Sequence, residues 1–305
     1  RAKKQKTGKG FHCDGLSHRS RRDASQSVEI RSRAITFKVN SDNSQGVTFW
    51  KKFFGKNNSV IQIKEKNPPI VNYSCRIKKT RLNNYYLCIP YYKEIKKSTT
   101  TKTCAIDPGV RTMLTGYDPE GYIFEFGKEI DKIMKRNLLI DKLKSKIRTF
   151  KGKRNKRYNL KTEELRITEK IKNMMKDCHH KVSKWLSETY HKILLPKFQT
   201  SEMVNKIKRG IDKKTARKMM AWSHYSFKEL LRHKMSMHGN QLIECTEEYT
   251  SKTCTSCGRI NHLLGASKSF KCPYKDCNVQ IDRDAGASRN IYLKNHKLLE
   301  ESIVC

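Results

Sequence analysis

Two pairs of cysteines constrain the fold of this chain more than any other feature of its sequence. Cys254 and Cys257 are separated by two residues, fourteen residues follow, and Cys272 and Cys277 are separated by four. This spacing is typical of a tetrahedral zinc site in which each pair forms a tight turn. Gly258 follows the first pair and suits such a turn. Because four sulfur ligands leave no position for water, we expect one structural Zn²⁺ and no catalytic one.

The cysteines outside the two pairs favour zinc over disulfide bonds. Seven of the 11 cysteines are scattered, several of them in apolar segments where a free cysteine packs as a small hydrophobic residue. This usage is typical of a reducing, intracellular compartment. No apolar run approaches the roughly 20 residues of a membrane span, and no secretory signal opens the chain, so we expect no membrane partner. The chain begins with Arg1 rather than Met, and we expect further sequence upstream or in missing loops.

The charge balance indicates a polyanionic partner. The chain has 66 Lys and Arg residues against 29 Asp and Glu residues, a formal charge of +37. Self-repulsion at this level opposes a compact state unless a polyanion neutralises it. A merely soluble basic protein needs far less charge, so we expect nucleic acid as the partner.

Hydrophobic periodicity divides the 305 residues into β-rich and helical parts. Residues 1–35 are basic and indicate an arm or a remnant of a broken element. Residues 36–102 contain short β-branched and aromatic runs, which predict an antiparallel β domain. The sequence then predicts strands at Thr103–Ile106, Lys192–Leu195 and Gln241–Thr246, a hairpin around the turn 118–121, and helices at Lys128–Phe150, Glu163–Tyr190 and about 213–238.

Three acidic residues stand at the ends of predicted elements. Asp107 ends an apolar strand, Asp284 opens a predicted helix, and Glu247 follows the strand 241–246. A two-residue period places Glu247 on the same face as Ile243 and Cys245. Carboxylates that converge in this way could hold two Mg²⁺ ions for phosphodiester cleavage.

Other acids compete for these positions. Glu248 is the alternative to Glu247, and Asp282 is the alternative to Asp284, although it better suits a helix cap. Glu244 and Glu202 are more distant candidates. Ordinary turns and helix-start acids would explain each residue separately, so the prediction depends on their convergence.

Four short motifs resemble those of a known family. They are Cys104-Ala-Ile-Asp107-Pro-Gly109, Tyr249-Thr-Ser-Lys-Thr-Cys254-x2-Cys257-Gly258, Cys272-x4-Cys277 and Asp284-x-Gly-Ala-x-Arg-Asn290-Ile291. The likeness extends over about residues 40–295. The chain resembles the transposon-associated TnpB proteins and, still more, their Fanzor relatives.

The resemblance implies an α+β fold class. It implies an antiparallel, β-barrel-like wedge domain at 36–102, followed by an RNase H-like RuvC α/β domain with an inserted zinc ribbon. The nuclease core with its helical hairpin would span 103–250, the ribbon 251–280, and the last RuvC segment 281–305. The arm at 1–35 would be the remnant of a recognition element.

The resemblance also implies an activity. The implied activity is that of an Mg²⁺-dependent, RNA-guided DNA endonuclease, in which one protein would bind one omega-type guide RNA and cleave double-stranded target DNA. Asp107, Glu247 and Asp284 would be the catalytic residues and would hold two Mg²⁺ ions. The protein would be intracellular, and nuclear if it acts in a eukaryotic cell.

One departure from the family pattern concerns the second acid. In many TnpB-like chains a glutamate ends the strand after the long helix, whereas this chain has Pro196 there. Glu247 stands where Fanzor-like chains place the acid instead. Two alternatives stay open. The first is a catalytically impaired RNA-guided DNA-binding protein, and the second is a protein-guided RNase H-like transposase or resolvase, which ordinarily lacks the ribbon.

Overall fold

The chain divides into two units between residues 94 and 95. The computed structural model describes residues 25–39, 45–50, 60–65, 67–92, 94, 97–198, 200–204, 210–265 and 267–301. The first 24 residues of the predicted basic arm lie outside the described residues, and so does the side chain of Glu202. No described helix is both long enough and apolar enough to cross a membrane.

The amino-terminal unit contains two open, three-stranded antiparallel sheets. One sheet has the order β1 (Ser25–Ile30), β5 (Cys75–Thr80), β6 (Tyr85–Cys88), and the other has the order β2 (Ile35–Val39), β3 (Gln45–Phe49), β4 (Ile61–Gln62). Buried side chains from both sheets form one cluster, comprising Ile30, Ile35, Val47 and Cys75.

The predicted β-barrel is therefore wrong. A barrel requires every strand edge to be paired, whereas each of these sheets keeps two edge strands, and β4 is only two residues long. The predicted arm is also too long at its carboxyl end. β1 pairs with β5 from Ser25–Thr80 to Ile30–Cys75, and Ile30 is buried, so this stretch belongs to the sheet.

A five-stranded mixed sheet organises the second unit. Its strands are β7 (Thr103–Pro108), β8 (Leu114–Tyr117), β9 (Ile123–Phe126), β10 (Lys192–Pro196) and β11 (Gln241–Cys245). Their order across the sheet is β11-β10-β7-β8-β9. β10 runs parallel to both β7 and β11, whereas β7, β8 and β9 form an antiparallel meander. The predicted hairpin turn at 118–121 joins β8 to β9.

Helices cover both faces of this sheet. The helices are α1 (Ile130–Thr149), α2 (Arg154–Thr189), α3 (Thr200–Met203), α4 (Lys213–Trp222), α5 (His224–Met237), α6 (Arg283–Asn295) and α7 (Lys297–Glu301). Alternate strand residues such as Ile106 and Ile193 pack against α1, α2, α4 and α5. Ala105 and Leu194 point the other way, against Ile291 of α6 and Leu299 of α7. The unit is thus a three-layer mixed α/β structure.

Two helix boundaries differ from the predictions. α2 begins at Arg154 rather than Glu163, because the Lys and Arg residues that indicated a turn are good helix formers once Gly152 has passed. The single helix predicted at about 213–238 is two helices. Ser223 adopts a left-handed conformation with φ of 51°, which ends α4 and redirects the chain into α5.

The cysteine segment forms a small separate lobe. Strands β12 (Ser269–Lys271) and β13 (Gln280–Asp282) pair antiparallel, and Phe270 is buried among the cysteines. The lobe follows β11 and leads directly into α6, so it is inserted between the last sheet strand and the helix that covers the sheet.

Candidate carboxylate and zinc sites

Three parallel strands end at the same edge of the sheet. Asp107 is the penultimate residue of β7, Lys197 and Phe198 follow β10, and Glu247 follows β11 by two residues. Asp107 has the same strand parity as Ala105, and Glu247 continues the row of Ile243 and Cys245, so both belong to the face covered by α6.

Helix α6 brings the third acid to this edge. Asp284 lies in its first turn, and Asp282 is the helix cap, whose Oδ1 accepts hydrogen bonds from the backbone N–H groups of Asp284 (2.9 Å) and Ala285 (3.2 Å). The predicted cap role of Asp282 is therefore present, and Asp284 remains available for the site.

The charges of Glu247 and Asp284 influence the ionisation of Asp107. The pKa of Asp107 is raised well above its ordinary value, first by burial and then by the negative charges of Glu247 and Asp284, against the opposing charge of Arg283. Burial is also the largest cause that raises the pKa of Glu247 and that of Asp284. All three side chains are half-buried. The site therefore concentrates negative charge that water screens poorly, which is the environment that a bound cation would stabilise.

A cavity of about 480 Å³ opens at this edge. It is lined by Asp107, Pro108, Lys197, Phe198, Cys245, Thr246, Glu247, Glu248, Thr250 and Ser251. Glu248 is exposed and its Oε2 lies 2.7 Å from the Lys294 ammonium, which lowers its pKa. Glu244 forms ion pairs with Lys228 and Arg232 and is absent from this lining. Glu247 thus differs from both neighbouring glutamates in lacking a lysine or arginine ion pair among the described residues.

Helix α6 also holds the backbone on both sides of Glu247. The Asn295 side-chain amide donates to the Thr246 carbonyl at 3.0 Å. The Asn290 amide donates to the carbonyls of Thr250 and Thr253, both at 2.8 Å. One helix therefore carries Asp284 and fixes the segment that carries Glu247.

The carboxylates are spaced more widely than the ligands of a single ion. Among the residues that the structure describes, only the cysteine tetrad brings three or more candidate ligand atoms within 4.8 Å of one another. Among the described residues, the three carboxylates therefore do not form a compact set of ligand atoms around one point.

Two residues that the sequence analysis missed hold the turn after Asp107. His224 Nε2 lies 3.1 Å from the Gly109 carbonyl oxygen, and Trp222 Nε1 donates to the Val110 carbonyl at 3.0 Å. A Cβ on Gly109 would lie 2.6 Å from the Thr112 carbonyl oxygen, so the turn requires glycine there. No local sequence signal could have identified His224, because it is 115 residues from its partner.

The four predicted zinc ligands meet in space. Cys254 Sγ lies 3.6 Å from Cys277 Sγ, and Cys257 Sγ lies 3.7 Å from Cys272 Sγ. A tetrahedron with Zn–S bonds of about 2.3 Å has S···S edges of about 3.8 Å, whereas a disulfide bond is about 2.05 Å long. The tetrad therefore fits a zinc ion and is not a pair of disulfides.

Backbone geometry favours the thiolate form of Cys257, whereas burial is the largest cause that raises the pKa of Cys272. Gly258 has φ of 73°, its N–H donates to the Cys254 carbonyl at 3.0 Å, and the Cys254 N–H donates to the Arg259 carbonyl at 2.9 Å. A hydrogen bond from the Arg259 backbone is the largest cause that lowers the pKa of Cys257 to about 6. The ligand turn thus stabilises the charged form that binds metal.

Helix α6 joins the tetrad lobe to the carboxylate site. Arg289 Nη1 donates to the Thr255 carbonyl at 2.8 Å, and a Cβ on Gly286 would lie 2.7 Å from Ile281 Cδ1. Arg283 contacts the Gly265 carbonyl at 3.0 Å while its charge acts on Asp107 and Asp284. The lobe and the acids are therefore anchored to the same helix.

Comparisons with known proteins show which families the sequence is similar to. A family model described as "Cas12f1-like, TNB domain" matches residues 224–291, and one described as "Probable transposase" matches residues 86–207. The chain is 35% identical to the putative transposase A625R of Paramecium bursaria Chlorella virus 1, over 72% of this chain and 49% of the relative. It is 33% identical to the TnpB-like protein L79 of Acanthamoeba polyphaga mimivirus, over 62% of this chain and 36% of the relative.

The fold has a counterpart among solved structures. The mini-RNA-guided endonuclease CRISPR-Cas phi3 superimposes with a TM-score of 0.51 and 12% identity, over 82% of this chain and 57% of that chain. The chain spans less than half the length of the two viral relatives it matches. Its four-cysteine lobe, its mixed α/β core and these matches lead to one assignment: the chain belongs to the TnpB-like family of IS605-type transposase proteins.

Proposed function

We propose that this chain is an RNA-guided DNA endonuclease of the Fanzor type whose RuvC-like site contains Asp107, Glu247 and Asp284. The observation that carries the proposal is that the charges of Glu247 and Asp284 both raise the pKa of Asp107. Asp107 and Glu247, at two strand ends, and Asp284, at a helix start, are all half-buried, and the charges of the last two act on the first. Carboxylates whose pKa values are raised by burial and by a neighbouring negative charge are typical of metal-dependent phosphodiesterase sites.

The oxygen ligands that three carboxylates offer are of the kind that Mg²⁺ binds. Mg²⁺ prefers oxygen ligands, keeps several waters, and needs only a few protein carboxylates. Asp107, Glu247 and Asp284 would hold the ions, which, when bound, supply a nucleophilic water and neutralise charge on the phosphate. The chain's own part is to keep the acids half-buried and in position, through the Asp282 cap and the hydrogen bonds from Asn290 and Asn295.

Glu247 is the better choice for the second acid. Its side chain is half-buried, it lines the cavity, and its charge acts on Asp107. Glu248 is exposed and paired with Lys294. Pro196 ends β10 in place of an acid, so Glu247 would supply the carboxylate that this strand lacks.

The charge and the relatives support nucleic-acid partners. A formal charge of +37 suits a chain that binds an RNA together with double-stranded DNA, because each phosphate contact uses one cation. The solved structure with the matching fold is described as an RNA-guided endonuclease. In such proteins base pairing selects the sequence while the protein binds the backbone. We extend this mode to the present chain, with one omega-type guide RNA per protein in an intracellular compartment, the nucleus in a eukaryotic host.

The decisive experiment combines the purified protein–RNA complex with a plasmid carrying the guide's target. Asp107→Asn should abolish Mg²⁺-dependent cleavage, a loss of at least about a thousandfold, because it removes one charge from the metal site, while target binding stays within about twofold. Asp177→Asn on the exposed side of α2 is the matched control and should cleave normally. Glu247→Gln should be inactive and Glu248→Gln active.

Three outcomes would contradict the proposal in different ways. Normal cleavage by Asp107→Asn would mean that the site is elsewhere. Target binding without any cleavage by the unaltered complex would favour the impaired, binding-only alternative. Cleavage that needs no copurifying RNA would favour a transposase or resolvase.

A further inference from the structure

The strand between the two acid-bearing strands leads into the cavity with a cation and an aromatic ring. β10 lies between β7 and β11, and Pro196, its last residue, is in register with Cys245. Lys197 and Phe198 follow, and both line the cavity that contains Asp107. We propose that Lys197 and Phe198 form a nucleotide-positioning site, in which Lys197 binds a phosphate and Phe198 stacks on the adjoining base of the strand to be cut. The inference rests on the proposed nuclease function and names the side chains that would position its substrate.

Because Pro196 does not line the cavity, Lys197 and Phe198 are the first residues at this end of β10 whose side chains do. Pro196 is buried at the end of β10 and offers no carboxylate, so this central strand adds no metal ligand between Asp107 and Glu247. The backbone N–H of Lys197 donates to the Cys245 carbonyl at 3.2 Å, which continues the β10–β11 pairing by one residue. The base of the Lys197 side chain is therefore fixed beside the acids.

The Lys197 side chain is available for an anionic ligand. It is exposed and forms no ion pair with a residue that the structure describes. Arg283, whose charge also acts on the acids, is already hydrogen-bonded to the Gly265 carbonyl and to Ser251 Oγ. Among the described residues that line the cavity, Lys197 is the single basic one. The charged side chains that these residues otherwise present to an approaching phosphate are negative, so an adjacent ammonium favours its entry.

Phe198 offers a fixed aromatic surface beside this cation. Its ring packs edge-on against His224, with centroids 4.9 Å apart and planes at 70°. Phe198 lines both the large cavity and a small apolar one of about 30 Å³ that also contains His224. One side of the ring is thus held by protein while another faces the cavity. Every base has a π-face, so such a ring can stack on any sequence, as an enzyme that takes its specificity from a guide requires.

The test measures cleavage and binding separately. Lys197→Met should slow single-turnover cleavage at saturating target by about tenfold or more, and Lys197→Arg should restore most of the rate. Phe198→Leu should weaken the binding of a short single-stranded DNA by about tenfold, because the stacking surface is lost. Lys172→Met, which removes an exposed lysine from α2, is the charge-matched control. Thermal unfolding of each variant separates a lost contact from a lost fold.

An uncharged analogue of one DNA phosphate allows the phosphate contact of Lys197 to be tested by binding alone, without any cleavage. A methylphosphonate at the cut position should weaken single-strand binding to the unaltered protein, and this penalty should shrink by at least about threefold in Lys197→Met. An unchanged penalty and an unchanged rate in Lys197→Met would overturn the inference, even if Asp107→Asn abolishes cleavage and the nuclease function stands. A protein that never cleaves but keeps the Lys197-dependent penalty would overturn the nuclease function and leave the nucleotide site.

Discussion

His224 is a buried histidine held in its neutral form beside the carboxylate site. Its Nε2 lies within hydrogen-bonding distance of the Gly109 carbonyl, so Nε2 carries the proton, and among the described residues its buried Nδ1 has no partner. Burial lowers the pKa of His224 to about 4, with the hydrogen bond to Gly109 opposing and His179 adding to the effect. Protonation would place an uncompensated charge against the turn that follows Asp107.

His224 makes folding stability depend on pH. Its folded-state pKa of about 4 lies below the ordinary 6.5, so the unfolded chain binds more protons between these values. Its contribution to the free energy of unfolding is fully present above pH 6.5 and is lost as the pH falls toward 4, by on the order of 3 kcal/mol. Denaturant unfolding of the unaltered protein and of His224→Gln across this range should therefore give curves whose separation changes with pH.

The carboxylates also make the folding stability depend on pH, so this measurement needs a control. The raised pKa values of Asp107, Glu247 and Asp284 act in the opposite direction and increase stability as the pH falls, so only the difference between variant and parent isolates His224. His233→Gln, at an exposed position, should run parallel to the parent. A His224→Gln curve that also runs parallel would show that the histidine does not titrate in this window.

At the scale of elements, helix α6 connects the cysteine lobe to the acids. Its first turn carries Asp284, Arg289 and Asn290 contact the lobe, and Ile291 is buried against the sheet. The lobe has its own small core around Phe270, separate from the cores on the two faces of the sheet. A core of this size rarely folds by itself, so we expect the lobe to depend on a zinc ion at the tetrad and the sheet not to.

Removal of zinc should therefore unfold the lobe and spare the sheet. The unaltered protein should contain one Zn²⁺ per chain by elemental analysis. Cys257→Ser should lose most of it, because a hydroxyl is a far weaker zinc ligand than a thiolate. Amide hydrogen exchange should then increase at least tenfold across 254–277 but stay unchanged in β7 and β10.

Cys88→Ser provides the matched control for this experiment. Cys88 is exposed in the amino-terminal unit and is remote in sequence from the tetrad, so its variant should keep both zinc and protection. Equal protection of the lobe in the presence and absence of zinc would contradict the structural role of the metal.

At the scale of the whole molecule, residues 128–157 concentrate positive charge, and acids of this segment are already in ion pairs. Residues 128–157 contain 13 Lys and Arg residues and three acids. Two of the acids, Asp131 and Asp141, form ion pairs with Lys218 and Arg217 of α4. Residues 151–159, at the tip of the α1–α2 hairpin, are all exposed. The tip therefore presents cations with few internal partners, which suits contact with phosphates.

The salt dependence of nucleic-acid binding should report these contacts. Replacing Lys151, Lys153 and Arg154 with Gln should reduce the slope of log affinity against log salt concentration by about 2 to 3, since each phosphate contact contributes roughly 0.7 to 0.9. The measurement is a titration of labelled guide RNA or target duplex at several salt concentrations.

Lysines that are paired with acids serve as the comparison. Gln at Lys102, Lys128 and Lys181, which form ion pairs with Glu120, Glu125 and Asp177, removes the same charge. This variant should change the slope by less than about one unit. Equal slopes in the two triple variants would mean that the hairpin tip does not contact phosphates.

Features that depend on local spacing could be predicted from the sequence. The tetrad followed from two short cysteine pairs, and the cap role of Asp282 from its position before a helix. Each of these depends on chain geometry within a few residues. The boundary of α2 and the break at Ser223 were missed because tertiary packing overrides weak local propensity.

What the sequence by itself determined is therefore the chemistry: a lobe of four cysteines spaced for a metal ion, acids at element ends, and a positive charge that suits a polyanionic partner. Only the tertiary structure decided the neighbours. The order β11-β10-β7 puts Lys197 and Phe198 between the strand ends that lead to Asp107 and Glu247, and a helix break puts His224 against the Gly109 carbonyl. These contacts join residues far apart in the chain, and their partners are fixed by strand order and helix packing, which no local pattern encodes.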